Sequence, residues 1–460
     1  MRRRAGVQPV ERTALVGMRA DRLSRVVWRI SLPIIFAQTS EAVLHVIDTI
    51  FLARVGVTEL GAIAVADSML LIFLVAPLAL VDGIQIVTAR RAGQRQPHAL
   101  GAAFNQGFVL MLVVCAASTV ALKVVSPLLA GWLVESEDVG VAVDGFLQIA
   151  AYGIGFTGAT FAYSALLVSL GSTRVLVPAT ALLAATNVIL NYVLIFGKFG
   201  FPALGMRGAA AGSLGAEIVT FLFLTVYMWR RLDPARYGLF RFGPFERRTT
   251  YLLSRTSAPI AVQRLLEALR WLAFFLILER VSDRALAIAN LVYACYVVFW
   301  IPTEGFAETS CSMVSRFVGR NQTHRIGAVL RDATGGALLA TLPFIAVALL
   351  VPRWLLTVFS PESALLAESA ASLRIVALAM LVVIPGEMWF AAVSGTGDTA
   401  AALAIELVLT LTMLGTGYFA TIHLAGSVEL AWVSLPISSL VCLTISYGWV
   451  KSGIWRRLDI

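Results

Sequence analysis

The chain has 460 residues, 59% of them hydrophobic and only 14% charged, with a mean hydropathy of +0.84. Soluble domains run nearer about 45–50% apolar and about 25% charged, so a water-soluble globule is excluded. A soluble enzyme on a single anchor is excluded too, because one span of about 20 residues cannot raise the mean of the whole chain so far.

Apolar runs divided by short polar or Gly/Pro breaks predict helices over 26–53, 59–90, 98–124, 138–169, 173–197, 206–230, 250–279, 284–316, 325–350, 363–394, 400–420 and 427–450. The expected fold is an all-α polytopic membrane protein with twelve transmembrane helices in two six-helix bundles. The longest polar connection, 231–249, separates six spans from six. The sequence therefore divides into a basic tail (1–25), an N-terminal bundle (26–231), a linker (232–249), a C-terminal bundle (250–450) and a second tail (451–460). The apolar run at 26–53 is too long for a signal peptide and reads as a retained first span.

The net charge of +9 is a matter of topology. Basic residues crowd the first tail (Arg2, Arg3, Arg4, Arg12, Arg19, Arg22, Arg25, Arg29) and then alternate connections: Arg90, Arg91 and Arg95; Arg230 to Arg248; Arg316 to Arg331; Lys451, Arg456 and Arg457. The intervening loops carry Arg54, Lys123, Lys198, Arg207, Arg280, Arg284 and Arg353. The positive-inside rule then places both termini in the cytoplasm, in a plasma (bacterial inner) membrane, and a nucleic-acid partner is not expected. Cys115, Cys295, Cys311 and Cys442 lie in apolar runs without metal-ligand spacing and read as packing residues.

The two halves overlay. One shift of 226 takes Pro33 to Pro259, Glu41 to Glu267, Ala42 to Ala268, Arg90 to Arg316, Gly93 to Gly319, Gly171 to Gly397 and Thr173 to Thr399. A constant offset from one end of a half to the other implies internal duplication. With an even number of spans per half the repeats run parallel, related by a pseudo-twofold axis along the membrane normal, as in transporters.

Several motifs in this frame resemble those of the MATE (multidrug and toxic compound extrusion) family. Ile47-Asp48-Thr49 resembles its VDT motif, and Ala89 to Gly93 its AR-x-x-G. Asn187 to Gly205, NVILNYVLIFGKFGFPALG, resembles N-x-x-x-N followed by G-K-x-G-x-P-x-x-G. Gly208 to Ser213 is similar to GAA-x-AT, and Pro259 with Glu267 to P-x7-E. The likeness covers nearly all the chain beyond about residue 25. It implies a proton- or cation-coupling site at Asp48, Asn187, Asn191 and Ser213, and bending at Pro33 that accompanies ion binding. Where some members carry Asp, this chain has Asn191, which leaves H+ and Na+ open. The tenth-span acid of some members falls on Val383, with Glu387 one turn away.

Charges inside spans cost about 2.5–3.5 kcal/mol each on insertion scales, so each needs a partner, a watery cavity or a function. Gln38, Glu41, His45 and Asp48 recur on one stripe of the first helix. Gln38 and His45 suit a polar seam, while Asp48 shares a depth with Asn191 and Ser213, with Asn187 one turn away. A carboxylate with amide and hydroxyl oxygens suits a small cation, and a desolvated Asp suits a proton; a polar clamp between helices is the structural alternative. Na+ at Asp48, Asn187 and Asn191 is the one metal these residues suit.

Pro33 predicts a hinge. In the seventh span Arg264, Glu267, Arg270 and Trp271 share a side. They form either an internal ion pair or a second acidic, substrate-binding site of Glu267, Trp271 and, at equivalent depth in the other half, Glu41. Asp82, Glu304, Glu308 and Glu387 are assigned to gates or interfaces. No catalytic residues, cofactor or GxxxxGK[ST] nucleotide loop are expected.

The expected function is a monomeric secondary antiporter in the bilayer that exports amphipathic, often cationic organic compounds for H+ or Na+ by alternating access. The alternatives are a flippase for a lipid-linked oligosaccharide or lipid II-like substrate, kept open by Arg264 and Arg270, and an integral-membrane enzyme acting on lipid.

Overall fold

The computed structural model describes residues 20–133, 136–241, 243, 245–423 and 427–457. The expected basic tail lies outside them as far as residue 19. Among the described residues all regular structure is helical: α1 (Ala20–Ala53), α2 (Val57–Gly93), α3 (Pro97–Leu133), α4 (Glu137–Leu170), α5 (Leu176–Phe196), α6 (Met206–Arg231), α7 (Arg247–Glu279), α8 (Asp283–Gly319), α9 (Ile326–Leu350), α10 (Ser363–Gly395), α11 (Thr399–His423) and α12 (Ser434–Ser452). Eleven of these spans are long and apolar enough to cross a membrane. The exception is α7, whose 33 residues include Arg255, Arg264, Glu267 and Arg270.

The apolar runs translate into helices because a backbone in lipid satisfies its polar groups within its own segment. Three elements depart from the expected outline, the first being α1, which begins at Ala20, inside the expected tail, rather than at 26. Helix α3 runs through Pro127 to Leu133 rather than stopping at 124. The last span is broken at Val433, with a turn at Val428–Trp432 ahead of α12. Helices α4 and α5 end on Gly171 (φ 69°) and Gly197 (φ 65°), in the left-handed conformation that only glycine adopts without steric cost.

The chain forms two compact units. Unit 1 contains Phe36–Ala261; unit 2 contains the described residues up to Ile35 together with those from Val262 onward. The boundaries fall inside α1 and α7, two residues beyond Pro33 and Pro259, which the repeat makes equivalent. Each proline removes a helix hydrogen bond at that point.

Within unit 2 the first part of α1 packs on α8. Trp28 meets Phe306 edge to face at 5.0 Å, and Ser31 Oγ donates to Thr309 Oγ1 at 2.8 Å. A Cβ at Gly305 would stand 2.5 Å from Ile35 Cγ1, so glycine there lets the two helices close. Within unit 1 the first part of α7 lies against α2, with Gly83 leaving room for Ser257.

The core of unit 1 holds Tyr163 stacked on Phe108 (5.4 Å) and Phe221 (5.7 Å). That of unit 2 gathers Trp271, Phe274, Tyr293, Tyr296 and Trp432. Most relevant to function is the α5/α6 contact. A Cβ at Gly208 would lie 2.6 Å from the Leu194 carbonyl oxygen, and one at Gly212 would lie 1.9 Å from Asn191 Oδ1. Two glycines four residues apart form a groove that lets α6 touch the backbone of α5, the small-residue packing of membrane helices.

Candidate functional site: an acidic cavity in each unit

In unit 1 the close α5/α6 contact brings Asn187, Asn191 and Ser213 into one hydrogen-bonded chain ending on α1. Asn191 Nδ2 donates to Asp48 Oδ1 (2.6 Å) and to Asn187 Oδ1 (3.0 Å), and Asn187 Nδ2 donates to Ser213 Oγ (3.0 Å). Asn191 is fully buried, and its Oδ1 has no partner. Asp48 and Ser213 face a cavity of about 220 Å³, whose acids also include Asp67 on α2 and Glu217 on α6. His45 Nε2 stands 3.5 Å from Asp67 Oδ2. Leu70, Leu74, Phe146, Ile154 and Leu214 supply apolar wall.

In unit 2, α7 and α11 build a smaller cavity, of about 90 Å³, around one guanidinium. Arg270 Nη1 donates to Glu406 Oε1 and, at 3.5 Å, to Thr410 Oγ1, while Nη2 lies 3.9 Å from Glu267 Oε1. The Arg270 and Glu406 side chains are 9% and 6% exposed, so this is a buried pair. Glu387 lines the same cavity with Glu267, beside Trp271, Tyr296 and Trp300. The Trp271 ring packs on Tyr293 (4.7 Å) and Tyr296 (5.2 Å).

The residues singled out in the sequence thus divide. Asp48, Asn187, Asn191 and Ser213 meet in unit 1; Glu267, Trp271 and Glu387 meet in unit 2. Glu41 is exposed and outside the lining of the unit 1 cavity, and Asp82, Glu304 and Glu308 are half-buried and line neither cavity. Arg264 is not among the lining residues, and Arg270 engages Glu406. Sequence reasoning missed Asp67, Glu217 and Glu406. The signal was available, since each is an ionisable residue inside a span.

Known proteins carry the same organisation. The MatE family model matches residues 33–193 and again 259–419, together most of the chain. The protein belongs to the MatE family. The second match reproduces the first at the displacement that relates Pro33 to Pro259. The Probable multidrug resistance protein NorM of Synechocystis sp. is 24% identical over 325 residues, 70% of each chain. That of Agrobacterium fabrum is 23% identical over 356 residues, 76% of each. A crystal structure of MATE in complex with MaD3S shares the fold, with a TM-score of 0.86 over 94% of this chain and 96% of that one at 16% identity. The protein is therefore a MATE transporter, a multi-pass membrane protein of all-helical fold.

Proposed function

We propose that this MATE transporter is a secondary antiporter that exports amphipathic, often cationic organic compounds in exchange for an inwardly moving H+ or Na+ by alternating access. The observation that carries the reading is the hydrogen-bonded chain Asp48–Asn191–Asn187–Ser213, buried at its two asparagines and opening through Asp48 and Ser213 onto a cavity with two further acids. A carboxylate held by a single amide in a partly apolar cavity is poised between an ionised and an ion-occupied form, because burial penalises the unneutralised charge.

The unit 2 cavity supports the cargo half of the reading. Glu267 and Glu387 supply carboxyl groups, and Trp271, Tyr296 and Trp300 supply aromatic faces, a combination suited to organic cations. The NorM relatives, multidrug resistance proteins by name, point the same way. A flippase for a pyrophosphate-linked lipid needs available cations in its cavity. Among the residues lining the two cavities Arg270 is the only Arg or Lys, and Glu406 takes it. The expected setting is the bacterial inner membrane, with both termini cytoplasmic and the single chain as the working unit.

The test is uptake of ethidium into everted vesicles holding the protein, with a pH gradient or a Na+ gradient imposed separately. Movement that follows either gradient supports antiport and names the ion. Movement of no cationic dye under either gradient overturns it.

A further inference from the structure

The acids of the unit 1 cavity differ in how they are held, and Glu217 is held least, with Thr157 as its only polar neighbour among the described residues. Asp48 accepts from Asn191, and Asp67 stands beside His45. Glu217 Oε2 is buried with no hydrogen-bond partner, and the hydroxyl beside it, Thr157 Oγ1, donates to the Gly153 carbonyl at 3.1 Å. The space is nonetheless shaped for this side chain. On α4 a Cβ at Gly153 would lie 2.8 Å from Glu217 Oε2, so the helix wall is left bare where the carboxylate sits.

The charge from outside the lining whose repulsion reaches Glu217 is another acid, Glu41 of α1. The remaining titratable groups of the lining are His45 and Asp48 on α1 and Asp67 on α2; α4 lines the cavity with none, and α5 meets α6 there through the neutral Asn187 and Asn191. A carboxylate whose inner oxygen is buried without a partner, with no cationic neighbour and a like charge acting on it, is readily neutralised from solution. A metal ion needs several oxygen ligands around it. Among the described residues no group of three or more His, Cys, Asp or Glu is placed to hold one. A proton needs only the carboxylate and a water-sized path, which the cavity supplies.

We propose that Glu217 is a second proton-exchanging carboxylate of unit 1, which takes up a proton from the water of the cavity and returns it when cationic cargo binds, in addition to the ion exchanged at Asp48. Glu217 lies one helical turn from Ser213 on the same face of α6, so the two positions share one cavity. The bond made and broken is the carboxyl O–H, with water as donor and acceptor. This inference rests on the antiport reading above and adds to it a residue and a proton.

The test uses the purified full-length chain in a weakly buffered detergent solution near neutral pH. Tetraphenylphosphonium is added, bound ligand is counted, and released protons are read with a pH-sensitive dye. Glu217→Gln should release one proton fewer per bound cation than the wild type, and Asp48→Asn with Glu217→Gln fewer again. Glu217→Asp, which keeps a carboxyl group one methylene shorter, should keep the number and move the pH at which release is half complete. A purely structural role for Glu217 would alter binding but leave protons per bound cation unchanged. Equal release by Glu217→Gln and wild type therefore overturns the inference while leaving antiport through Asp48 intact. Cation binding by the wild type with no proton release at all overturns proton exchange itself, and this inference with it.

Discussion

Asn191 on α5 donates to Asp48 on α1 at 2.6 Å while its own Oδ1 stays buried and unpaired, so the amide holds the carboxylate without neutralising it. Asp48→Asn keeps an oxygen that can accept the Asn191 hydrogen bond and removes only the capacity to change charge. Gradient-driven ethidium efflux should fall to the level of protein-free vesicles, with the thermal unfolding midpoint close to wild type. Efflux at the wild-type rate under the same gradient would remove Asp48 from the coupling site.

The buried Arg270–Glu406 pair gives a prediction about stability. Arg270→Met leaves Glu406 without its counter-charge in the protein interior, a loss of about 3–5 kcal/mol. The double variant Arg270→Met with Glu406→Gln removes both charges and should recover most of that loss. Thermal unfolding in detergent checks both; a double variant no better than the single one would mean that the pair is not what holds α7 to α11.

Two glycines of unit 1 should respond oppositely to alanine. At Gly212 the new methyl would stand 1.9 Å from Asn191 Oδ1 and 3.0 Å from the Asn191 backbone nitrogen, so α5 and α6 must part. Overpacking of this kind costs about 1–3 kcal/mol, and the misplaced Asn191 should abolish gradient-driven efflux as well. At Gly155, on α4, nothing lies within 4 Å of the new Cβ, and relief of backbone entropy should stabilise the helix by about 0.5–1 kcal/mol. Melting temperatures of the two variants, compared side by side, decide the point.

Pro33 lies two residues before α1 passes from one unit to the other. Pro33→Ala restores the missing donor and stiffens the helix there. Cargo affinity should be unchanged and gradient-driven efflux several-fold slower. A variant as fast as the wild type would show that bending at this position is not part of the cycle.

The spans were legible because the contrast between apolar runs and polar breaks is strong over helical lengths. The break at Val433 was also legible, since Pro436 cannot donate to the Trp432 carbonyl and so interrupts the ladder there. The chain from Asp48 to Ser213 was legible through its motif and shared depth. Asp67, Glu217 and Glu406 carry neither motif nor repeat: the shift of 226 takes Asp67 to Tyr293 and Glu217 to Leu443, and pairs Glu406 with Thr180. Their meaning comes only from which helix faces share a cavity. In the same way a proline in the sequence marks a kink, but not which unit the helix packs into on either side of it.

Because Trp28 and Ser31 rest on Phe306 and Thr309, the first part of α1 finds its packing partners only after α8 has been made. A nascent chain that has finished six spans therefore still carries an arm without its seat, which lipid or the insertion machinery must shelter. Cutting the gene at the central linker would yield fragments that each lack a piece of their own unit. Co-expression of both fragments, and neither alone, should restore a foldable transporter.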